Sequence, residues 1–252
     1  MFRELLGGLG RPYGAQWRDW TGADGSSTDQ LALMYSQIQN KSDSRRLIVD
    51  AWKVDELTQM ALPPCPKSFQ FLLMNDRLDF ILEQRSADSF LGVPFNIGEY
   101  ALLAIHASTY AGLKPGIFTH NLNDAHIYCG VEEKGLWYEK NFDELRARIK
   151  KIDEDNLTPK QRSKKYLGIK HWIDTTANKP KEEWKEKYDH VTAVLEQLAN
   201  DPNKYPLSKW EVKVDSSLPA KNILDNVSFS DFKVIGYEGN HYPPIKRDMS
   251  TG

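Results

Sequence analysis

A cysteine between two prolines precedes the most strand-like part of the chain. The segment Pro64-Cys65-Pro66 leads into an apolar run, Ser68–Met74, and the turn Asn75–Arg77 separates this run from a second one, Leu78–Gln84. Two such runs around a short polar turn are typical of a β-hairpin. Prolines restrict the backbone and remove N–H donors, which suits the rigid presentation of one side chain. The pattern therefore predicts a sheet with a cysteine at the mouth of one strand.

Helices and further strands are expected on both sides of this hairpin. Ser27 and Gln30 form a possible capping box before apolar residues at helical spacing, and 96–113 is apolar nearly all round, which predicts a buried helix. Further strands are expected at Leu47–Trp52, Gly116–Tyr128, Trp210–Val214 and Phe229–Tyr237, and further helices at Phe142–Ile152, Lys181–Leu198 and from Thr158-Pro159 onward. Together these elements predict a layered α/β fold, in which helices pack on a mixed sheet.

The composition changes within the chain. From about Glu132 to Asp189 the sequence is rich in Lys, Glu, Asp and Trp and poor in aliphatic runs. We interpret 132–189 as a charged helical insertion within a single domain that covers 1–252. Its tryptophans, Trp172 and Trp184, could serve a partner, and a solvated helical decoration is the other interpretation. The polar tail Lys246–Gly252 is expected to be mobile.

Charge and cysteine content exclude several classes of protein. A net charge of −2 over 252 residues argues against a nucleic-acid binder. No apolar run is long enough to span a bilayer, and Met1–Glu4 does not begin a secretory signal pattern. Two cysteines do not imply a disulfide framework. We therefore expect a cytoplasmic protein that binds neither membrane nor nucleic acid.

Cysteine and arginine side chains are the first candidates for chemistry. Cys65 is a candidate nucleophile, since a neighbouring positive charge favours a thiolate, although most free cysteines are small buried residues. Arg45 and Arg46 could clamp a phosphate with their planar guanidinium groups, or form a solvated turn. Arg85 with Ser86 is a second candidate for anion binding.

Polar residues near the expected strands are the second group of candidates. The amide of Asn96 carries a donor and an acceptor, so it could read a pyrimidine edge or cap a helix. His126 and Tyr128 alternate on an expected strand and could bind a sugar hydroxyl, or be satisfied core residues. His120 and His126 are too isolated from other ligands to predict a metal site.

Several of these segments together resemble the thymidylate synthase family. The segments are Asp43–Arg46, Met60–Cys65, Gln84–Asn96 and Asp124–Tyr128, in the order and spacing of that family. The resemblance is dense over 7–128 and looser over 195–246. It implies a mixed sheet with packed helices and a homodimer in which two subunits pack through their sheets. It also implies reductive methylation of dUMP to dTMP with 5,10-methylenetetrahydrofolate as cosubstrate and without a metal.

The resemblance assigns a role to each site residue. Cys65 adds covalently to the dUMP ring, Arg85 lies near the thiolate, and Tyr13 belongs to the proton-transfer network. For the nucleotide, the resemblance implies that Arg85 and Ser86 bind the phosphate and that Arg45 and Arg46 reach the phosphate in the partner subunit's site. It also implies that Asn96 binds the uracil edge, that Gln84 borders the nucleotide, and that His126 and Tyr128 bind the ribose. The residues implied for the folate pocket are Asp88, Leu91, Gly92 and Phe95.

The chain departs from the family pattern in four places. No catalytic glutamate or phosphate-binding arginine loop is found before Gly7, and Asp19, Asp50 or Glu99 cannot be assigned the glutamate's role. Pro66 replaces a histidine, Cys129-Gly130-Val131 replaces Ser-Asn-His, and the C-terminal end is polar rather than apolar. We therefore also consider a deoxyuridylate hydroxymethylase, and an inactive or split fragment that binds nucleotide and takes its N-terminal portion from a separate chain.

Overall fold

The computed structural model describes residues 8–40, 43–130, 132–177, 189–205, 207–237 and 245. The chain divides into two compact units. The first comprises the described residues up to Ala87, then Gly92–Ala125 and Trp210–Lys233; the second comprises Asp88–Leu91 and the described residues of His126–Lys209 and from Val234 onward. Trp184, the predicted tail Lys246–Gly252 and the first part of the helix predicted over 181–198 lie outside the described residues. The predicted single domain stays a prediction.

The described helices and strands follow one another along the chain. They are α1 (Gly14–Arg18), β1 (Trp20–Thr21), β2 (Ser27–Thr28), α2 (Gln30–Gln39), β3 (Ile48–Asp50), β4 (Pro66–Met74), β5 (Arg77–Gln84), β6 (Ala87–Asp88), α3 (Gly92–Tyr110), β7 (Lys114–Leu122), β8 (Ala125–His126), α4 (Glu132–Glu154), α5 (Pro159–Thr176), α6 (Val191–Leu198), β9 (Lys209–Val212), α7 (Ala220–Asn226) and β10 (Phe232–Ile235). This mixture of helices and sheet confirms the predicted α/β fold class.

A mixed four-stranded sheet in the order β3-β4-β5-β7 forms the centre of the first unit. β3 and β4, and β4 and β5, are antiparallel, whereas β5 and β7 are parallel. The predicted hairpin is confirmed, and its turn contains Asn75 at φ 60°. Asparagine tolerates this left-handed backbone better than most residues, which explains the sharp reversal.

One face of this sheet carries the core of the first unit. Phe69 and Phe71 on β4 and Phe80 on β5 alternate with less buried neighbours and are at most 2% exposed. Their rings lie within 6.1 Å of one another, and Tyr100 of α3 packs at 5.9 Å from Phe69. Because side chains alternate along a strand, the residues between them point to the opposite face. That face exposes Ile117 on β7.

Two helix starts differ from the predicted ones. Helix α2 is capped by Asp29, whose carboxylate accepts the Ala32 N–H at 2.9 Å, so the capping box predicted at Ser27 was wrong. Helix α3 begins at Gly92, before the predicted start. Asn96 therefore lies inside the helix, and the interpretation of Asn96 as a helix cap is wrong.

The second unit contains helices α4, α5 and α6 around a core of its own. That core consists of Tyr138, Leu145, Ile152, Tyr166, Ile169, Ile173 and Leu195. The helix predicted from Thr158 is confirmed, because Thr158 and Gln161 form a reciprocal capping box at the start of α5. Helix α4 extends beyond the predicted Phe142–Ile152 at both ends.

A buried ion pair lies where the chain leaves and re-enters the helical part of the second unit. Lys134 Nζ lies 2.5 Å from the carboxylate of Asp189, and both residues are buried. The Tyr138 hydroxyl contacts both oxygens of that carboxylate, at 3.1 and 3.0 Å. Cys129 pairs with Asp189 in an antiparallel bridge, and the His190 N–H donates to the Tyr128 carbonyl at 2.9 Å. The two ends of the helical segment therefore meet.

Two strand predictions were partly wrong. The strand expected over Gly116–Tyr128 is divided into β7 and β8, and Tyr128 lies outside both. Of the strand expected over Phe229–Tyr237, the first part, Phe229–Asp231, is a 3₁₀ turn, and β10 begins at Phe232. In the part of the chain that the structure describes, no helix has the length and apolar character needed to cross a membrane.

Replacing Lys134 by methionine should strongly destabilise the second unit. The substitution leaves the Asp189 carboxylate buried without its positive partner, and removing one member of a buried pair costs about 3–5 kcal/mol. Urea unfolding measures the loss in the free energy of unfolding. Glu144→Gln is the matched control, since it removes an exposed pair with Arg148 on the same helix. Equal stabilities of the two variants would contradict the expected role of the buried pair.

Candidate active site

Prolines leave the loop before β4 with few backbone donors. Pro63, Pro64 and Pro66 lack an N–H, so Cys65 has the only backbone donor of this tetrapeptide. That N–H donates to the phenol oxygen of Tyr13 at 2.9 Å. Pro66 is the first residue of β4, a position where a strand tolerates proline. The backbone of Cys65 is therefore held at the entrance to the sheet, as the sequence predicts.

Arg85 satisfies the carbonyls of the same loop. Its Nε and Nη2 donate to the carbonyls of Pro64 and Pro63, both at 2.9 Å, and its backbone N–H donates to the Cys65 carbonyl at 2.9 Å. The guanidinium also lies 5.3 Å from the centre of the Trp52 ring. The acceptors are uncharged carbonyls, so these bonds do not cancel the positive charge of Arg85. The structure thus brings Arg85 and Cys65 together.

Tyr13 lies on the other side of Cys65 in a strained conformation. Its φ of 44° is in the left-handed region, which costs energy for a residue with a side chain. Strain of this kind often occurs at functional sites. Burial raises the pKa of the phenol to about 12. Tyr13 is thus a neutral hydroxyl at physiological pH, and it contacts the candidate nucleophile through the backbone.

Glu99 is a carboxylate that sequence reasoning left without a role. It follows Asn96 by about one turn of α3, and solvent reaches it. The part of the carboxyl that packs against the protein is shielded from water, and this burial raises its pKa above the ordinary value because it disfavours the charged form. The charges of Glu99 and Cys65 both raise the pKa of Tyr13. Glu99 therefore belongs to the same electrostatic environment as Tyr13 and Cys65.

A chain of amide contacts lies next to Arg85. Gln84, which is 1% exposed, donates from Nε2 to the Ser86 carbonyl at 2.8 Å and to Asn96 Oδ1 at 3.1 Å. Its Oε1 lies 2.7 Å from Nε2 of His120. The structure therefore brings the predicted residues Gln84, Ser86 and Asn96 together, and it adds His120 on β7, to which the sequence assigned no role.

Arg45 and Arg46 lie apart from these contacts. Both are exposed in the turn before β3, where the Arg46 N–H donates to the Ser44 hydroxyl at 3.1 Å. Among the described residues, no hydrogen bond or ion pair joins their side chains to the other predicted site residues. Arg46 lines a cavity of about 260 Å³ together with Leu33 and Ile48. Their phosphate-binding role stays a prediction.

The predicted folate residues are divided between the two units. In the first unit, Gly92 begins the helix and the ring of Phe95 is 76% exposed. In the second unit, Asp88 Oδ1 accepts the N–H groups of Phe90 and Leu91 at 3.1 and 3.3 Å. A phenyl ring left so exposed offers an apolar surface to a ligand.

The predicted ribose residues lie in the second unit, beside a histidine that the sequence did not indicate. Strand β8 ends at His126, so Tyr128 does not alternate with it on one strand as predicted. The centres of their two rings nevertheless lie 5.1 Å apart. His190 is fully buried, with its ring 5.6 Å from Tyr128 and its Nδ1 3.9 Å from the Asp88 carboxylate. The family resemblance expects an Asn-His pair soon after Tyr128, and Asp189-His190 occupies this neighbourhood.

No group of three or more potential metal ligands is found among the described residues. His120, one of the histidines considered for a metal, is engaged with Gln84 instead.

The raised pKa of Tyr13 predicts a pH dependence of stability. The pKa of the phenol is higher in the folded protein than in the unfolded chain, so the folded state binds the phenol proton more tightly. The resulting stabilisation is fully present below pH 10 and is lost as the pH rises toward about 12. The free energy of unfolding of the wild type should therefore fall with pH more steeply than that of Tyr13→Phe in this range. Urea unfolding at several pH values measures both slopes, and parallel slopes would contradict the buried phenol.

Comparison with known proteins agrees with the resemblance. The family described as thymidylate synthase matches residues 2–251. A protein of Haloferax volcanii named thymidylate synthase is 34% identical over 231 residues, which are 89% of this chain and 61% of that protein. The chain thus spans less than two thirds of the length of this relative. On the extent of the family match, the chain belongs to the thymidylate synthase family.

Proposed function

We propose that this protein is a thymidylate synthase that converts dUMP to dTMP with 5,10-methylenetetrahydrofolate. The observation that carries the proposal is the contact set around Cys65. A loop poor in donors presents the cysteine, Arg85 and Tyr13 hold the loop from two sides, and the amide chain from Gln84 to Asn96 begins at the residue next to Arg85. Family membership supports the same reaction.

In this proposal Cys65 is the nucleophile. Its sulfur adds to C6 of the uracil ring, which makes C5 the nucleophile for the one-carbon unit. Loss of the C5 proton and hydride transfer give dTMP and dihydrofolate, and the C6–S bond then breaks to release the cysteine. A covalent intermediate of this kind divides one difficult step into easier ones. Tyr13, neutral and next to the loop, is suited to move the proton.

The other site residues bind the nucleotide in this proposal. Asn96 reads the uracil edge and Gln84 borders the nucleotide, while Arg85 and Ser86 hold the phosphate. No carboxylate forms an ion pair with Arg85 in the part of the chain that the structure describes, which supports this role, because a phosphate would pair with the donors that the loop carbonyls leave available. His126 and Tyr128, whose rings are in contact, bind the ribose hydroxyl.

The predicted folate residues have side chains suited to a folate cosubstrate. Phe95 offers an exposed aromatic ring, and Asp88 offers a carboxylate whose Oδ1 is held by two backbone N–H groups. Aromatic rings favour offset stacking or edge contacts with other rings, which the ring system of a folate would provide. When bound, the cosubstrate supplies the one-carbon unit and the hydride.

Product analysis with a cysteine variant tests the proposed reaction. The purified chain is incubated with dUMP and 5,10-methylenetetrahydrofolate, and the nucleotide is analysed by mass spectrometry. Cys65→Ser should abolish product formation, because a serine hydroxyl at neutral pH is a far weaker nucleophile than a thiolate. Cys129→Ser is the matched control and should retain activity, because Cys129 lies at the base of the helical segment.

Each other result has a defined meaning. A hydroxymethyl product that depends on Cys65 would replace the synthase by a deoxyuridylate hydroxymethylase. Activity that appears only when a second polypeptide is added would support a split enzyme. Nucleotide binding without any product would indicate an inactive fragment. Equal activity of Cys65→Ser and wild type would contradict the proposal.

We also infer a homodimer that forms through the open face of the sheet. This face exposes Ile48, Met74 and Ile117, with exposed fractions of 50, 47 and 57%. Large apolar side chains on one face of a sheet favour contact with a second sheet over contact with water. In such a dimer the exposed Arg45 and Arg46 would be available to the partner subunit's phosphate site. The cytoplasmic location predicted from the sequence stays a prediction.

Introducing a charge on this face should weaken the dimer. Ile117→Glu would place a carboxylate in an apolar interface, where burial of an unpaired charge is costly. Sedimentation equilibrium should then show a shift from dimer to monomer. Phe229→Glu is the matched control, because Phe229 is 94% exposed and lies outside the sheet. A dimer that tolerates Ile117→Glu as well as Phe229→Glu would rule out this face.

A further inference from the structure

We propose that His120 is a specificity-determining positioning residue. Through Gln84, it orients the Asn96 amide so that the Asn96 amino group faces the nucleotide, which favours uracil over cytosine. This inference rests on the proposed function, since it assigns Asn96 to the pyrimidine edge. It adds a residue from β7 that neither the residue patterns nor the family resemblance indicated. All of the contacts involved lie within the first unit.

The orientation of Gln84 follows from one backbone carbonyl. A carbonyl oxygen can only accept a hydrogen bond, so the side-chain atom 2.8 Å from the Ser86 carbonyl must be the nitrogen Nε2. The oxygen Oε1 is then the atom that faces His120. The buried Gln84 amide therefore has one defined orientation.

The protonation of His120 follows from that orientation. Gln84 Oε1 is an acceptor, so the ring nitrogen Nε2 at 2.7 Å must carry the proton. Its Nδ1 is buried, and among the described residues it has no hydrogen-bond partner. A second proton there would remain unsatisfied, and burial lowers the pKa of His120 accordingly. Stacking on Phe118, with ring centres 5.7 Å apart, holds the ring in place.

The orientation of Asn96 is the last step of this chain of contacts. Gln84 Nε2 also donates to Asn96 at 3.1 Å, so the atom that receives this bond must be the oxygen Oδ1. The amino group Nδ2 of Asn96 is then the part of the amide that does not face Gln84. An amino group donates to the carbonyl at C4 of uracil, whereas the amino group at C4 of cytosine is itself a donor. The arrangement therefore favours uracil.

Removal of the His120 proton donor should weaken this preference. In His120→Phe the ring can still stack on Phe118, but Gln84 Oε1 loses its donor and both amides become free to turn. The ratio of dCMP to dUMP dissociation constants should fall about fivefold, which corresponds to the loss of one hydrogen bond. In His120→Gln a side-chain N–H remains, and the preference should be largely retained.

The experiment uses the full chain in wild type, His120→Phe and His120→Gln. Calorimetric titration measures the dissociation constants of dUMP and dCMP. His171→Phe is the matched control, since His171 is an exposed histidine on α5. Nitrogen-15 spectra of the histidine side chains report the tautomer, and the wild type should show the Nε2–H form of His120. A residue with only a structural role would alter affinity for both nucleotides equally.

The outcomes separate this inference from the proposed function. A lowered preference in His120→Phe, its retention in His120→Gln and the Nε2–H tautomer would support the positioning role. A wild type that prefers dUMP, with the same ratio in His120→Phe, would overturn the role of His120 and leave the proposed function intact. An Nδ1–H tautomer would also overturn it. A wild type that binds neither nucleotide would overturn the proposed function and this inference together.

Discussion

The candidate site depends on the hydrogen bonds that the buried side-chain amide of Gln84 makes. A buried amide must find partners for its donors and its acceptor, because an unsatisfied polar group in the interior is costly. Gln84 ends β5 and meets this requirement with Ser86, Asn96 and His120, from the segment after its own strand, from α3 and from β7. One side chain thus positions two neighbouring elements, while the next residue, Arg85, turns toward Cys65.

The proline loop before β4 obeys the same rule that polar backbone groups need hydrogen-bond partners, but here acceptors outnumber donors. Prolines supply acceptors without donors, so the loop needs donors from elsewhere, and Arg85 provides them for two carbonyls. Tyr13 accepts the single N–H at Cys65. The hydrogen bonds of this loop therefore come from residues of other segments, which hold its backbone in place. In the proposed reaction a fixed position of Cys65 would favour its attack, since a small misplacement of reacting atoms slows a reaction considerably.

The second unit shows how much a composition-based interpretation leaves out. The many charged residues of 132–189 predict solvated helices, yet α4, α5 and α6 enclose an apolar core of their own. Lys134 and Asp189 are buried as an ion pair at the base of these helices. Amino-acid content cannot distinguish a charge on the surface from one that is paired inside, because that depends on which residues meet in space. For the same reason no sequence pattern indicates His190, whose ring lies beside Tyr128 in the structure.

By itself, the sequence determined the elements that depend on local patterns. Two apolar runs around a polar turn predict the hairpin of β4 and β5, helical spacing predicts α2, and a segment that is apolar nearly all round predicts α3. Short motifs around Cys65, Gln84 and Asn96 indicate the family. Element boundaries were less accurate, as at Asp29 and Gly92, since caps depend on individual hydrogen bonds. Only the tertiary structure decided that His120 contacts Gln84, because hydrogen bonds between residues far apart in the chain arise when strands and helices pack and leave no periodic trace in the sequence.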